Sequence, residues 1–348
     1  MKRNQEYYRG CLVGGAIGDA LGWPVEFLKL EDINHKFGEG GIQDLVLSSS
    51  GKAEITDDTQ MTLFTAEGIL RSETRGIKKG ICHPPAVVFY AYQRWLITQG
   101  YPKLEEWQWI YNGWLLSIEE LNERRAPGNT CLSALLSRKQ GTIEEPINNS
   151  KGCGGVMRVA PAGLFYKKEN AFRLGADFAA LTHGHPSGYL SAGALAYIVA
   201  CIIEGQDIET AVRNALNELK NYSEHEECSQ ILKEALELSK SSLSDSEAIS
   251  QMGEGWIGEE ALAISVYCAL KYRDDFKKAL IIAVNHNGDS DSTGAITGNI
   301  LGAYLGLSKI PSPWVEKIEL REVLMQVADD LFAEYQEGDE WWERYPGY

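Results

Sequence analysis

Hydrophobic residues recur through most of the chain at spacings of three and four positions, the period of an amphipathic helix. In the segment 59–71, for example, Met61, Phe64 and Leu70 lie on the apolar stripe. The same pattern predicts seven further helices, over 85–98, 104–122, 187–204, 208–220, 260–271, 276–285 and 292–305. The segment 221–251, rich in Glu, Ser and Lys, is expected to form a helical excursion on the surface.

Alternation of apolar and polar residues, which is typical of a half-buried strand, is scarce. The segment 42–47 is the best strand candidate, and it is short. Since no low-complexity or proline-rich linker divides the chain, we predict an all-α protein with a single domain over residues 1–348. The C-terminal segment carries four aromatic side chains that we expect to pack back onto this domain: Trp341, Trp342, Tyr345 and Tyr348.

Two segments repeat glycine at every fourth position, at 10, 14, 18 and 22 and again at 294, 298, 302 and 306. This spacing places each set on one face of a helix. Because glycine inside a helix costs about 1 kcal/mol relative to alanine, the repeat indicates that two backbones approach closely, as in small-residue helix seams. The membrane form of such a seam is disfavoured by Asp19, Asp289 and Asp291 in or beside the same segments. We predict two central helices whose polar ends meet.

Charge narrows the range of partners. The chain of 348 residues has 33 Lys and Arg against 49 Asp and Glu, a formal net charge of −16. A general nucleic-acid-binding protein needs a basic face that neutralises phosphates. The composition therefore predicts no nucleic-acid partner, although a local basic patch is compatible with it.

Membrane and secretion signals are also missing from the sequence. No stretch approaches about 20 uninterrupted apolar residues, the length of a membrane-spanning helix. The first residues lead into Tyr7 and Tyr8 rather than into the apolar run of a signal peptide. The seven cysteines are odd in number and form no CxxC pair. We expect a reduced, cytoplasmic protein without a membrane partner.

Two acidic clusters each precede a predicted helix. The first is Thr56-Asp57-Asp58-Thr59, and the second is Gly288-Asp289-Ser290-Asp291-Ser292. Either cluster alone would be read as a helix cap, since Asp, Ser and Thr are favoured there. Four carboxylates that converge would repel one another without a cation. Hard oxygen ligands suit Mg²⁺, Mn²⁺ or Ca²⁺ rather than zinc, so the pair of clusters favours a two-metal site.

Six segments carry a wider resemblance. They read GCLVGGAIGDALGWPVEF at 10–27, TDDTQMT at 56–62, GNTC at 128–131, SKGCGGVMRVAP at 150–161, THGHP at 182–186 and NGDSDSTGAITGNILGAYLG at 287–306. In this order and nearly from end to end, the chain resembles the ADP-ribosylglycohydrolase family. The resemblance implies an all-α orthogonal helical bundle with a centre of two Mg²⁺ ions, for which Mn²⁺ is a substitute.

The resemblance also implies roles for the acidic clusters. By position, the metal ligands would be Thr56, Asp57, Asp58, Asp289, Asp291 and Ser292. Many relatives have Thr at the last position, and Ser keeps its hydroxyl. Glu26 matches a glutamate that in relatives lies over the metals and contacts the substrate; a solvated acid at a helix end is the alternative interpretation. The residues expected to act in catalysis are Glu26, Asp58 and Asp291.

Substrate contacts are expected from four further places. The loop Gly128, Asn129 and Thr130 precedes a helix whose N–H groups would suit a pyrophosphate, though such a loop alone is usually a turn and cap. The segment 152–158, called the glycine-rich loop below, resembles a loop of the family that wraps the distal ribose. Its expected contacts are Gly154, Gly155 and Met157. Relatives often have Asn at position 153 or 154. His183 or His185 would contact ADP-ribose, and Trp256 would stack on adenine or lie in the core.

Other chemistries fit these residues less well. A nucleophilic Cys153 is disfavoured because the sequence ties no His–acid pair to it. A zinc site at His183 and His185 is disfavoured because a third soft ligand is missing. Arg158 is expected to brace the glycine-rich loop rather than to bind phosphate.

The implied reaction is hydrolysis of the bond between C1″ of ADP-ribose and a modified protein side chain, with free ADP-ribose as the product. The metals would orient the distal ribose, and activated water would attack. Arginine-linked ADP-ribose is the preferred substrate, with serine-linked and O-acetyl-ADP-ribose as alternatives. A non-catalytic ADP-ribose or NAD binder, a structural relative and a metal-dependent phosphoesterase are the rival functions. The chain is expected to act as a monomer.

Overall fold

The computed structural model describes residues 2–347. Over these residues the protein is all-helical, with two isolated β-bridges and no strand. In chain order, α1 to α17 are Gln5–Gly22, Leu30–Phe37, Asp57–Lys79, Pro84–Thr98, Asn129–Leu136, Ala160–Phe165, Lys168–Ala180, Pro186–Ile203, Ile208–Leu219, Glu226–Leu238, Asp245–Met252, Gly258–Lys271, Phe276–Val284, Ser290–Leu305, Ser312–Lys317, Arg321–Ala333 and Asp339–Arg344. Six short 3₁₀ helices join them: Trp23–Val25, Glu105–Ile110, Trp114–Ser117, Glu119–Asn122, Cys153–Gly155 and Leu307–Lys309.

Seven of the eight helices predicted from hydrophobic spacing are confirmed. The prediction over 104–122 is wrong, because this segment forms three separate 3₁₀ helices. Gly113 adopts a φ of +105° between the first and second of them, and Trp107 has non-helical dihedral angles inside the first. The apolar spacing there reflects aromatic side chains that pack from a loop, such as Trp107 edge-on against Phe89 at 6.2 Å between ring centroids.

The strand predicted over 42–47 is also wrong. Ile42 and Leu45 are buried, whereas Val46 and Leu47 are exposed, so the segment lies as an irregular loop on the core. The backbone of Ile42 is paired with a side chain instead of a neighbouring strand. The Asn285 amide accepts from Ile42 N at 2.8 Å and donates to Ile42 O at 2.9 Å.

The two glycine-rich helices form the centre of the fold. Helices α1 and α14 pack antiparallel along their length, with Gly10 opposite Gly302 and Gly14 opposite Gly298. A Cβ atom added to Gly14 would lie 2.6 Å from the carbonyl oxygen of Gly298, closer than real Cβ atoms come. The predicted close approach is therefore confirmed. It brings the C-terminal end of α1 beside the N-terminal end of α14.

Helix α8 is the most apolar element of the described chain. By length and composition alone it could cross a membrane, but 83% of its apolar window is buried inside the protein. It packs against α6, α7, α9 and α12, and so it is a core helix.

The chain segments outside the centre also pack as helices. In the predicted surface excursion, α10 buries Cys228, Leu232 and Ala235 and packs against α12. Two of the C-terminal aromatic residues pack onto the body as predicted. Trp341 Nε1 donates to Thr74 Oγ1 at 2.9 Å, and the buried Tyr345 donates to Asp330 Oδ2 at 2.8 Å. Trp342 is half-buried. Tyr348 lies outside the described residues.

Candidate active site

Two helix N-termini supply the acidic side chains of the site. Thr56 precedes α3, and its hydroxyl accepts a hydrogen bond from Asp58 N at 3.3 Å. Asp289 precedes α14, and its carboxylate accepts from Ser292 N at 3.2 Å. Both clusters therefore cap their helices. The two caps also meet across the fold, where the Thr56 hydroxyl lies 3.4 Å from Asp291 Oδ2.

Asp19 joins the central helix α1 to the start of α3. Its carboxylate accepts from Thr56 Oγ1 at 2.8 Å and from Thr59 Oγ1 at 2.5 Å. It also accepts from both backbone amides, at 3.0 Å for Thr56 and 3.1 Å for Thr59. The sequence interpretation gave this aspartate no role in the site. A buried acid in an otherwise apolar, glycine-rich helix is the signal that could have found it.

A cleft of about 360 Å³ opens over these helix ends. Most of the residues singled out in the sequence line it: Glu26, Asp57, Asp58, Gly128, Asn129, Thr130, Gly154, Met157, His183, Trp256, Asp289, Asp291 and Ser292. Three do not reach its surface. Thr56 lies behind the carboxylates, Gly155 packs against Ala179, and His185 caps α8. The functional roles of all these residues stay predictions.

The carboxylates of the cleft are buried together. Asp57, Asp58, Asp289 and Asp291 are each at most 4% exposed. Burial, followed by repulsion from the neighbouring acids, raises the pKa of Asp58 and Asp291 well above the usual range. Over residues 2–347, no ion pair joins any of these four aspartates to lysine or arginine. No basic side chain of the described residues therefore offsets the negative charge of the cluster.

Glu26 lies over the aspartates, just after the short helix that follows α1. Burial and the charges of Asp289 and Asp57 raise the pKa of Glu26 to about 9. One of its oxygen atoms, Oε2, is buried without a hydrogen-bond partner. Asp58 Oδ1 is likewise buried and without a hydrogen-bond partner. Buried oxygen atoms of this kind cost free energy unless a partner satisfies them.

A hard divalent cation fits these oxygen atoms. The cleft offers carboxylates and hydroxyls, which are the ligands that Mg²⁺ and Mn²⁺ prefer, and two buried oxygen atoms that the protein leaves unsatisfied. Within residues 2–347, no three or more His, Cys, Asp or Glu side chains are arranged so that they could hold a metal ion by themselves. An ion here would thus need the Thr56 or Ser292 hydroxyl, water or substrate to complete its coordination.

The loop before α5 contacts the acidic cluster directly. Gly128 N donates to Asp57 Oδ2 at 3.2 Å, so this amide serves the carboxylate. The Thr130 hydroxyl lies 3.1 Å from that of Ser150. Asn129, the first residue of α5, is exposed and lines the cleft without a described side-chain partner. Asn129 is thus the side chain of this loop that is available to a ligand.

The glycine-rich loop is held against His183. A Cβ atom on Gly154 would lie 3.0 Å from Cys131 Sγ and 3.1 Å from His183 Cε1, so a side chain there would fit only if these neighbours shifted by a few tenths of an ångström. The buried Arg158 donates to Thr182 Oγ1 at 2.6 Å and ties the loop to the end of α7. This contact agrees with a bracing role for Arg158.

The two histidines of the fifth segment lie in different surroundings. His183 is buried at the cleft, where burial and the charge of Arg158 lower its pKa to about 3, so that the imidazole is neutral. Its Nδ1 lies 2.8 Å from the Thr182 hydroxyl. His185 accepts from Ser187 N at 3.1 Å as the cap of α8. Of the two, His183 is the one that lines the cleft.

Cys153 contacts a predicted metal ligand. Its thiol donates to Asp289 Oδ2 at 2.7 Å. Burial and the charge of Asp289 raise the pKa of this thiol well above its usual value. Since the thiolate is the nucleophilic form, the geometry agrees with the expectation that Cys153 is not a nucleophile. The contact itself was not foreseen from the sequence.

An aromatic pair borders the mouth of the cleft. The rings of Phe27 and Trp256 stack at 5.7 Å between centroids, with an interplanar angle of 16°. Phe27 is 73% exposed and Trp256 is 36% exposed, so Trp256 is not a core residue. Trp256 Nε1 donates to Glu254 at 3.2 Å. The sequence interpretation gave no role to Phe27. Its place in the chain directly after Glu26 is the signal that could have found it.

Together these features define an all-helical protein with an acidic cleft of the size of a small-molecule site. A sequence model of the ADP-ribosylglycohydrolase family matches residues 2–340. The chain therefore belongs to the ADP-ribosylglycohydrolase family, and it is a hydrolase.

Individual relatives cover nearly the whole chain. An uncharacterized protein of Archaeoglobus fulgidus is 29% identical over 94% of this chain and 96% of its own length. The ADP-ribosylarginine hydrolase Tri1 of Serratia proteamaculans is 26% identical over 95% of this chain and 80% of its own length. A solved structure, titled an ADP-ribosylglycohydrolase-related protein complex, superposes with a TM-score of 0.69 at 24% identity. It covers 97% of this chain and 100% of its own, which confirms the fold.

Proposed function

We propose that the chain hydrolyses the glycosidic bond between ADP-ribose and a protein side chain, with arginine-linked ADP-ribose preferred, and that it uses two Mg²⁺ ions or Mn²⁺ in their place. The observation that carries the proposal is the buried carboxylate cluster, which two helix N-termini and α1 hold together without a protein cation.

The cations would be held by the side chains that line or underlie this cluster: Thr56, Asp57, Asp58, Asp289, Asp291 and Ser292. When bound, they would supply Lewis acidity, orient ribose hydroxyls and lower the pKa of water. The protein contributes a fixed frame, since Asp19 and the helix caps already set the positions of the oxygen atoms. Such preorganisation places the reacting groups without further rearrangement.

Other residues of the cleft would bind and orient the substrate. Glu26 lies over the aspartates, and we assign it contact with the ribose or transfer of a proton to or from the reacting group. Asp58 and Asp291 would stabilise the positive charge that develops on the sugar. The Asn129 side chain suits a phosphate or ribose, and Trp256 offers an aromatic face at the mouth of the cleft.

The preference for arginine rests on chemistry at the cleft mouth. A guanidinium group is cationic and planar, and it is attracted both to carboxylates and to aromatic faces. The mouth combines the exposed ring of Phe27 with the acidic interior. A relative whose name specifies ADP-ribosylarginine is similar over almost the whole chain.

The proposal also covers the cellular compartment and the oligomeric state. All seven cysteines are free, as in a reducing compartment. We therefore propose a cytoplasmic enzyme, active as a monomer on an ADP-ribosylated protein.

The experiment compares ADP-ribosylated arginine and serine peptides and O-acetyl-ADP-ribose at saturating Mg²⁺, with products identified by mass. Faster release of ADP-ribose from the arginine peptide supports the proposal, whereas preference for another substrate contradicts the arginine assignment. AMP as the product would mean pyrophosphate cleavage by a phosphoesterase. ADP-ribose binding without turnover of any substrate would mean a non-catalytic binder. Asn129→Ala should raise KM, and Asn122→Ala, on an exposed 3₁₀ helix outside the cleft, is the matched control.

A further inference from the structure

A second cavity lies on the other half of α3, away from the acidic cleft. It has a volume of about 580 Å³, larger than the cleft, and within the range of small-molecule sites. Its walls come from the later turns of α3, the start of α4 and the segment between these helices. Trp109 and Ile110, together with Pro346 of the C-terminal segment, close it.

The cavity is separate from the catalytic site. Asp58 stands in the first turn of α3 and Arg75 stands 17 residues further on. At 1.5 Å per residue the two positions are about 25 Å apart along the helix. The cavity and the cleft share no lining residue. A small molecule bound in the cavity would therefore not reach the acidic cleft.

Positive charge dominates the polar part of the cavity wall. Arg71 and Arg94 both pair with the single carboxylate of Glu67, at 3.1 and 2.8 Å, and all three side chains are buried. These two arginines also donate to the carbonyl oxygens of Asn112 and Ile110, which fixes the floor of the cavity. No acidic residue lines the cavity among the described residues.

Arg75 supplies a further cation, which takes no part in the ion pairs of Glu67 with Arg71 and Arg94. It is half-buried and lines the cavity, and within residues 2–347 it makes no ion pair and no side-chain hydrogen bond. The imidazole side chain of His83 lies on the same wall. A guanidinium in this position is suited to hold a carboxylate, sulfonate or phosphate by charge-assisted hydrogen bonds.

The rest of the wall is apolar and aromatic. Ile81 is 73% exposed and Trp109 is 51% exposed, although large apolar side chains gain free energy from burial. The ring of Tyr90 packs against Trp109 at 4.9 Å between centroids. Ala86 and Val87 continue the apolar surface inward from α4. An apolar or aromatic body in the cavity would cover these side chains.

We propose that this cavity binds an amphipathic organic anion, with an acidic head group at Arg75 and an apolar or aromatic body against Trp109, Tyr90 and Ile81. Each part of such a ligand matches one feature of the cavity. The volume suits a small organic molecule, Arg75 suits its acidic head group, and the exposed aromatic surface suits its apolar body. A purely apolar ligand would leave Arg75 unused, and a small inorganic anion would leave the apolar wall exposed to water. The site is independent of the glycohydrolase reaction.

The test uses anilinonaphthalene sulfonate, a fluorescent aromatic anion, with the full chain. We expect saturable binding with one site per chain, and about tenfold weaker binding in Arg75→Gln because a charge-assisted hydrogen bond is lost. Ala86→Phe should fill the cavity and abolish binding. The neutral N-phenylnaphthylamine, which lacks the sulfonate, should bind at least about tenfold more weakly than the anion to the wild-type protein.

Phe27→Ser, at the mouth of the acidic cleft, is the control and should leave the binding of the dye unchanged. Thermal unfolding verifies that each variant is folded, and Arg75→Gln alone keeps the test decisive if Ala86→Phe does not fold. Unchanged binding in Arg75→Gln, equal affinity for the neutral compound, or loss of binding in Phe27→Ser would overturn the proposal.

Discussion

The carboxylate of Asp19 accepts a hydrogen bond from the Thr56 hydroxyl at 2.8 Å, although the two residues belong to different parts of the fold. Through this contact the central helix α1 fixes the start of α3, where three of the predicted metal ligands lie: Thr56, Asp57 and Asp58. Burial raises the pKa of Asp19 to about 6, even though four donors from Thr56 and Thr59 oppose the rise. Asp19 is therefore a positioning residue of the site.

Replacing this carboxylate should disturb the site without removing a predicted ligand. In Asp19→Asn, an NH₂ group would face donors from Thr56 and Thr59, so we expect a loss of about 1–3 kcal/mol in the free energy of unfolding. The Mg²⁺ concentration for half-maximal activity should also rise. Urea unfolding and a Mg²⁺ titration measure these two effects. Unchanged stability and an unchanged Mg²⁺ requirement would show that Asp19 does not position α3.

The glycine seam should tolerate no side chain. In Gly298→Ala the new Cβ would overlap the carbonyl oxygen of Gly14, and we expect a loss of about 2 kcal/mol or more in the free energy of unfolding. The matched control is Gly76→Ala in α3, where the nearest atom to the new Cβ is 3.9 Å away. Helix propensity alone should stabilise that variant by up to about 1 kcal/mol. Equal effects of the two substitutions on denaturant unfolding would contradict the seam.

The glycine seam and the acidic clusters are the parts of the molecule that the sequence predicted best. Both rest on a fixed spacing within one helix or at one helix end, and local geometry decides them. The role of Asp19 escaped prediction because its partners, Thr56 and Thr59, lie 37 and 40 positions away. The helix prediction for 104–122 was wrong for a related reason. The apolar residues of this segment pack against other elements, and their spacing resembles that of a helix.

The acidic cluster should lower the stability of the protein when divalent cations are absent. Asp58→Asn removes one of the repelling buried charges, so we expect the melting temperature in EDTA to rise by about 2 °C. The wild-type protein should gain roughly 2.7 kcal/mol when Mg²⁺ is at about a hundredfold its Kd, and the variant should gain little. Differential scanning calorimetry with and without Mg²⁺ measures both. A variant that is less stable in EDTA and still responds to Mg²⁺ would contradict this interpretation.

His183 should stay neutral at every pH at which the protein is active. Its pKa is lowered to about 3, from about 6.5 in an unfolded chain. The stability that this shift contributes is fully present above pH 6.5, and it is lost as the pH falls towards 3, because the unfolded state then binds a proton that the folded state excludes. The NMR shift of the His183 ring proton should not move between about pH 8 and pH 5. A titration with a midpoint near 6.5 would place His183 in contact with solvent.

The central claim is that the carboxylate cluster holds the cations needed for hydrolysis. The most direct measurement is the rate of ADP-ribose release from an arginine-linked peptide by protein stripped with EDTA, as Mg²⁺ is added back, in the wild type and in Asp291→Ala. We expect negligible release in EDTA, recovery with Mg²⁺ in the wild type, and no recovery in the variant. Near-normal release by the stripped wild-type protein, or by Asp291→Ala with Mg²⁺, would contradict this claim.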